Sequence, residues 1–186
     1  MNEKDRRVKR TKKLLKESLA ELLLEKNIHN ITVRELTDHA DISRGAFYSH
    51  YEDIYDLYDQ MENELLEEIG SIMVEDPSNS YENLYTSLLN YVQNNASVCR
   101  VFMCGPGGGT AQKKLMNLME ARYDQIVLYE MKTSEMKQEW RYLDHYFTAG
   151  FVALLQKWLE SDFSFPKERL LELIMAIDTA CDQLYE

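Results

Sequence analysis

The chain has 186 residues, 21 basic against 32 acidic, for a formal charge of -11; taken as one number, that charge speaks against a polyanion such as DNA as partner. Hydrophobic residues at 45% and charged residues at 28% are ordinary globular values and exclude wholesale disorder. Seven Gly and three Pro leave few turns and point to long helices.

Cys99, Cys104 and Cys181 are odd in number and lack the dense even spacing of a disulfide scaffold, so a reduced interior is expected. No apolar segment follows the charged N-terminus, and no stretch approaches the roughly 18 uninterrupted apolar residues of a membrane span. The expectation is a soluble, cytoplasmic protein with no membrane partner.

The charge is segregated. Residues 1–50 hold 11 Lys or Arg against 8 Asp or Glu, net +3, and residues 51–186 hold 10 against 24, net -14. Lys4, Arg6, Arg7, Lys9, Arg10, Lys12, Lys13 and Lys16 crowd one segment, while no Lys or Arg occurs between Tyr51 and Cys99. Phosphate attraction acts within about 8–10 Å, so a distant acidic body is largely screened from a basic head.

In chain order, Leu15, Leu19, Leu22 and Leu23 recur at helical spacing and predict a helix from about Val8 to Lys26. Asn27 to Ile31 breaks it. Thr32-Val33-Arg34-Glu35 has the pattern of a capping box opening a second helix to about Ala40. Asp41 and Ile42 connect tightly to Ser43, which can cap a third helix ending near His50 or Tyr51. Two short helices joined by such a turn, after a longer amphipathic one, form a helix-turn-helix arrangement. Further helices are predicted over Asp53–Met73, Ser80–Asn94, Ala96–Met103, Ala111–Met131 and Gln138–Glu160, with a last one starting at Ser164-Phe165-Pro166. Asp76-Pro77-Ser78-Asn79 and Cys104 to Thr110 are breaks. In Gln138–Glu160 the residues Leu143, Tyr146, Phe147, Gly150, Phe151, Leu154, Leu155 and Trp158 form one stripe expected to be buried. Leu170, Leu173, Ile174, Ile177, Cys181 and Leu184 form that of the last helix. No strand pattern is present, so the fold class is all-α, with three helices that include the helix-turn-helix over residues 1–52 and a helical bundle over residues 53–186.

On the third helix Arg44, Gly45, Tyr48 and Ser49 fall on one side, with Phe47 as the buried anchor on the other. Arg44 can bind guanine O6 and N7 bidentately, Gly45 allows close backbone approach, and Tyr48 and His50 can reach phosphates. Each alone is also an ordinary surface or core residue; their combination is what points to DNA. Ile31 to Leu57, ITVRELTDHADISRGAFYSHYEDIYDL, resembles the DNA-binding region of TetR-type transcriptional regulators, on its Thr-Val-Arg, Ile-Ser-Arg-Gly and Phe-Tyr-x-His-Tyr runs. The resemblance implies a three-helix DNA-binding head, residues 1–52, on a helical ligand-binding and dimerisation body, residues 53–186, bound as dimers to a palindromic double-stranded operator, with Arg34, Arg44, Gly45 and Ser49 toward base edges. Thr32, Val33, Tyr48 and His50 would contact phosphate or sugar. Asp41 stands where the turn usually has Gly, tolerable because Asp enters the left-handed region more easily than most residues. Glu52-Asp53-Ile54 replaces the Lys that often opens the fourth helix and binds phosphate, a loss the N-terminal basic cluster can offset.

Residues 146–159 resemble a subset of the same family that includes regulators of dihydroxyacetone utilisation. Gly150, mid-stripe, costs about 1 kcal/mol of helix propensity against Ala, which suggests close packing across a two-fold axis. In this family the last two helices usually form a four-helix homodimer interface. Phe147, Gly150, Phe151, Leu154, Trp158, Ile174, Ile177 and Cys181 are the candidates here. Effector-pocket candidates are Tyr85, Leu88, Tyr91, Phe102, Met103, Met116, Met119, Tyr123 and Trp140; residues of this kind at helical spacing are more often plain core, and only a cavity would reverse that. Gly109-Thr110-Ala111-Gln112 lacks the Lys of a P-loop, and no zinc spacing or Ser, His and Asp grouping stands out. No enzyme activity, catalytic residue, metal or cofactor is therefore expected. Three functions compete: a repressor released by a small-molecule effector, which the sequence favours, a regulator governed by a protein partner on its body, and a helical enzyme with an accessory DNA head.

Overall fold

The computed structural model describes residues 3–73, 81–105, 109–181 and 184. Among them are nine α-helices and no strand, an all-α protein. The predicted breaks at Asp76-Pro77-Ser78-Asn79 and Pro106 to Gly108 lie outside the described residues. Two compact units divide the chain, one made of Met1–Leu65 with Ser97–Gly109, the other of Leu66–Ala96 with Thr110–Glu186.

The first unit opens with α1 (Glu3–Glu25), which begins several residues before the apolar pattern does. Lys, Arg and Glu are good helix formers, so the charged run stays helical without marking a buried face. Leu15, Leu19 and Leu22 are its buried row. A single 3-10 turn, Ile28–Asn30, follows, capped by Asn27 Oδ1 accepting from the His29 amide at 3.1 Å. α2 (Val33–His39) buries Leu36 and Thr37 and packs on both α1 and α3. α3 spans only Arg44–Tyr48, shorter than its sequence suggests. The His50 amide already bonds Phe47 O at 2.9 Å, a tightened final turn that ends the helix early. α4 (Ile54–Met73) buries Ile54, Leu57, Met61, Leu65, Ile69 and Met73, a row stepping three or four residues at a time. Its beginning is capped by acids: Asp53 Oδ1 accepts from the Asp56 amide and Asp56 Oδ2 from the Glu52 amide, both at 2.9 Å.

α6 (Ala96–Cys104) falls almost wholly in the first unit, its Phe102 ring centred 4.9 Å from that of Tyr58. Gly105 closes this helix, its amide bonding Arg100 O at 3.0 Å. A Cβ there would collide with the backbone oxygen of Val101, so the closing turn requires glycine. Gly109 and Thr110, expected to lie in a loop, form the first turn of α7 instead.

The second unit contains α5 (Tyr81–Asn94), α7 (Gly109–Glu130), α8 (Gln138–Glu160) and α9 (Lys167–Cys181). Here the expected burial of one α8 stripe is corrected. The inward row is Trp140, Asp144, Thr148, Phe151, Val152, Leu155 and Leu159, with Trp158 beside it. Tyr146 is 72% exposed and Gly150 is exposed, while Leu143, Phe147 and Leu154 are half-buried. The cause is that α8 carries apolar residues around more than half of its circumference, so the stripe chosen from spacing straddles two faces. α9 likewise buries Leu170 and Ile174 but leaves Leu173 and Ile177 at 44% and 40% exposure, and Leu184, exposed, lies beyond its end. α8 and α9 are joined through Asp162 and Phe163, both left-handed with φ of 51° and 59°. Phe163 is held there by its ring against Trp158 at 4.7 Å and its amide on Trp158 O at 3.0 Å. No helix among the described residues is long and apolar enough to cross a membrane.

Candidate nucleic-acid interface and body cleft

The head is assembled around Phe47. Its ring is fully buried and packs edge-on to Tyr48 at 5.4 Å and against Tyr51 at 5.6 Å. Burying an aromatic of this size contributes about 2–3 kcal/mol, enough to fix the rotation of a helix only five residues long. With Phe47 inward, Arg44, Gly45, Tyr48 and Ser49 are exposed and His50 is half-buried. Ser43 caps the helix, its Oγ accepting from the Ala46 amide at 3.2 Å. Asp41, at φ 53°, makes the reversal between α2 and α3. Ser49 Oγ donates to Ala46 O at 2.7 Å, and nothing lies within 4 Å of a Cβ placed on Gly45, so the surface there is open.

At the start of α2, Thr32 Oγ1 accepts from the Glu35 amide at 3.2 Å. Glu35 does not rest on the capping box alone: Lys26 Nζ donates to its carboxylate. The Lys26 ammonium, aided by the Thr32 amide, holds the Glu35 carboxyl below its ordinary 4.5. Val33 is half-buried and Arg34 is exposed, its Nε 3.6 Å from Asp38 Oδ2. Of the basic cluster, Lys16 pairs with Glu64, Lys13 lies 3.6 Å from Glu17, and Lys12 Nζ stands 5.7 Å from the Tyr51 ring centre. Arg6, Arg7 and Arg10 are exposed. The eight candidate DNA residues thus gather around two capped helix starts and the outer side of α3.

In the body, a cleft of about 410 Å³ is bordered by α5, α7, α8 and α9. Tyr85 and Tyr123, expected in a pocket, border it together with Phe147, Gly150, Phe151 and Leu154, expected at a dimer interface. Ile174, Ile177 and the unforeseen Tyr146, Ala149 and Asp178 complete its lining. Tyr85 donates to Asp178 Oδ2 at 2.7 Å and is hydrogen-bonded to the Tyr123 hydroxyl. The other pocket candidates are placed elsewhere. Leu88 and Met119 are buried core, Tyr91 and Met116 are half-buried, and Trp140 packs with Val127. Phe102 and Met103 belong to the first unit. Of the dimer candidates, Phe151, Trp158 and Ile174 are already buried within the protomer, Cys181 is half-buried, and Gly150 and Ile177 are exposed. A second hollow of about 470 Å³, bordered by Leu154, Trp158, Phe165, Leu170 and Leu173, extends the groove along α8 and α9.

A short helix held outward on a capped turn, within a head of three helices joined to an all-helical body, defines a helix-turn-helix regulator fold. Residues 17–61 match the family described as bacterial regulatory proteins, tetR family, and residues 79–178 the transcriptional regulator C-terminal region. The chain belongs to the tetR family. Over 59 residues it is 32% identical to the uncharacterized HTH-type transcriptional regulator YxbF of Bacillus subtilis (strain 168), a match covering 32% of this chain and 16% of that relative. Among solved structures, the dihydroxyacetone kinase operon activator DhaS is similar with a TM-score of 0.64 and 19% identity over 95% of this chain and 98% of that one. A transcriptional regulator from Aquifex aeolicus VF5 has a TM-score of 0.67 and 18% identity over 91% and 99%. At these identities the likeness is one of fold.

Proposed function

We propose that the protein is a sequence-specific DNA-binding transcriptional regulator, a cytoplasmic homodimeric repressor released when a small molecule fills its body. The observation that carries this is the outer side of α3, where Arg44 and Tyr48 stand exposed over a fully buried Phe47. Arg44 supplies the bidentate base contact, with Arg34 and Ser49 beside it and Gly45 allowing close approach; Thr32, Val33, Tyr48 and His50 hold phosphate or sugar. Residues 1–52 act as the reading head and residues 53–186 as the sensing and dimerising body.

Dimerisation is assigned to the outer faces of α8 and α9. Tyr146, Gly150, Leu173 and Ile177 are exposed there, with Phe147, Leu154 and Cys181 half-buried alongside. Two copies joined by a two-fold axis would bind a palindrome whose half-sites lie about one helical turn apart, roughly 34–36 Å. An effector in the body would act through α4, whose residues divide between the two units. A change of a few ångströms in head spacing would mismatch successive major grooves. The body cleft supports this reading, because Phe147, Phe151, Leu154 and Ile174 offer a small molecule an apolar wall to fill.

The test is selection of duplexes from a random pool by the purified full chain. Enrichment of one palindromic sequence is expected; recovery of duplexes with no common sequence would overturn the reading. A promoter carrying the selected site then shows the sign of regulation, and lowered transcription is the expected result.

A further inference from the structure

The body cleft has two chemically distinct parts. Its walls are Phe147, Phe151, Leu154, Ile174 and Ile177, apolar, with the Tyr85 ring 5.0 Å from that of Phe151. Its polar end is Tyr85, Tyr123 and Asp178. Tyr85 gives its one hydroxyl proton to Asp178, so the bond between the phenols must be donated by Tyr123. Donation therefore runs from Tyr123 through Tyr85 to the carboxylate. Burial first, then the charge of Asp178, raises the pKa of Tyr123, and burial likewise raises that of Tyr85, so both phenols stay neutral. No Lys, Arg or His is among the described residues lining the cleft.

Ligand classes are separated by these features. An anion would face a carboxylate with no cation in the lining to offset it, a repulsion heightened in a partly desolvated site. A neutral apolar molecule would fill the walls and cover the polar end without satisfying it. A cation is attracted by the carboxylate, and the lining rings of Tyr146, Phe147 and Phe151 are partners for cation–π attraction. A volume of about 410 Å³ lies in the range of pockets that enclose small organic molecules.

We infer that this cleft binds an organic monocation with an apolar or aromatic body, its charged nitrogen against Asp178 and its body along Phe147, Phe151, Leu154 and Ile177. Its effect on DNA rests on the reading of the body as an effector sensor; its binding does not. The cleft borders the exposed Tyr146 and Ile177, so in the dimer the cation sits at the face assigned to the second copy.

The test is calorimetric titration of the full chain with decyltrimethylammonium, decanoate and 1-decanol, each below its micelle or solubility limit. The cation is expected to bind at least about tenfold more tightly than either other probe, through charge attraction to the carboxylate and cation–π contact, since a quaternary nitrogen donates no hydrogen bond. Asp178→Asn keeps the shape and an acceptor for Tyr85, and is expected to abolish that preference while leaving 1-decanol binding unchanged. Equal binding of decanoate or 1-decanol by the wild-type chain would overturn the inference, and this comparison decides even if the variant does not fold. Retention of the preference in a folded Asp178→Asn would overturn it too, as would a dimer that takes up none of the probes, whose groove is then closed by its own second copy. Mobility shifts on the selected duplex separate the two claims. Cation binding with unchanged DNA affinity supports this site and goes against effector control, whereas DNA binding without any cation binding supports the head and overturns this site.

Discussion

Tyr51 is 2% exposed, and its hydroxyl meets no hydrogen-bond partner among the described residues. An unpaired buried hydroxyl costs about 1–3 kcal/mol, so Tyr51→Phe is expected to leave the head as stable or raise its stability by about 1 kcal/mol in urea unfolding. Burial, with Glu64 and Asp56 nearby, pushes the phenol up to about 12. Between the ordinary 10.0 and about 12 the unfolded chain ionises first, so stability falls as pH rises through that window; Tyr51→Phe is expected to make the fall shallower, leaving the part due to Tyr58, Tyr85 and Tyr123. Glu35 works in the opposite direction. Its lowered pKa favours the folded state above 4.5, and that contribution disappears as pH drops below 4.5 through the folded value. Acid titration of unfolding for Lys26→Met, which removes the main partner, is expected to show a flatter decline there. Phe47 was legible in the sequence because, with Arg44, Gly45, Tyr48 and Ser49 on one side of a short helix, its ring has only the other side to hide on. Asp178 was not, since one acid in the α9 stripe looks like solvated surface until α5 and α7 bring Tyr85 and Tyr123 to it.

The α2–α3 turn depends on one left-handed residue, Asp41 at φ 53°. Gly would relieve that strain and a β-branched residue would increase it, so Asp41→Gly is expected to stabilise the head by up to about 1 kcal/mol and Asp41→Val to destabilise it by about 1–2 kcal/mol. Urea unfolding of the two variants against wild type measures both. At the other end of the head, α1 carries Arg6, Arg7 and Arg10 exposed near its start. Deleting Met1 to Arg10 is expected to weaken binding to every duplex nearly equally and to reduce the salt slope by about 0.9 for each phosphate that is no longer neutralised. Element types and most helix limits followed from apolar spacing and caps, because α2 and α3 carry Thr32 and Ser43 where the first amides need acceptors. The inward face of α8 did not follow. Its buried row includes Asp144 and Thr148, polar residues that no hydrophobic pattern marks, while the exposed Tyr146 mimics a core position. Likewise, nothing local to α6 shows that Phe102 meets Tyr58, a pairing that brings a later helix into the first unit.

A charge of -11 is the sum of +3 on the first fifty residues and -14 on the rest. In the proposed reading such a division would attract the head to phosphate while the body opposes loose adhesion, favouring the bound register over sliding contact. Leu173→Asp, placing a charge on the exposed α9 face, is expected to leave helical content unchanged and shift the chain from dimer to monomer in sedimentation. Without the dimer, affinity for the palindrome should fall by orders of magnitude because two half-sites no longer bind together. Base readout by the outer side of α3 is tested most directly by a mobility-shift series across salt, comparing wild type with Arg44→Ala on the selected duplex and a scrambled one. A bidentate arginine–guanine contact carries about 1–3 kcal/mol of discrimination, so Arg44→Ala is expected to lower the selected-to-scrambled affinity ratio by roughly five- to 150-fold at every salt concentration. An unchanged ratio, with both affinities reduced together, would mean that Arg44 holds phosphate and that sequence is read elsewhere.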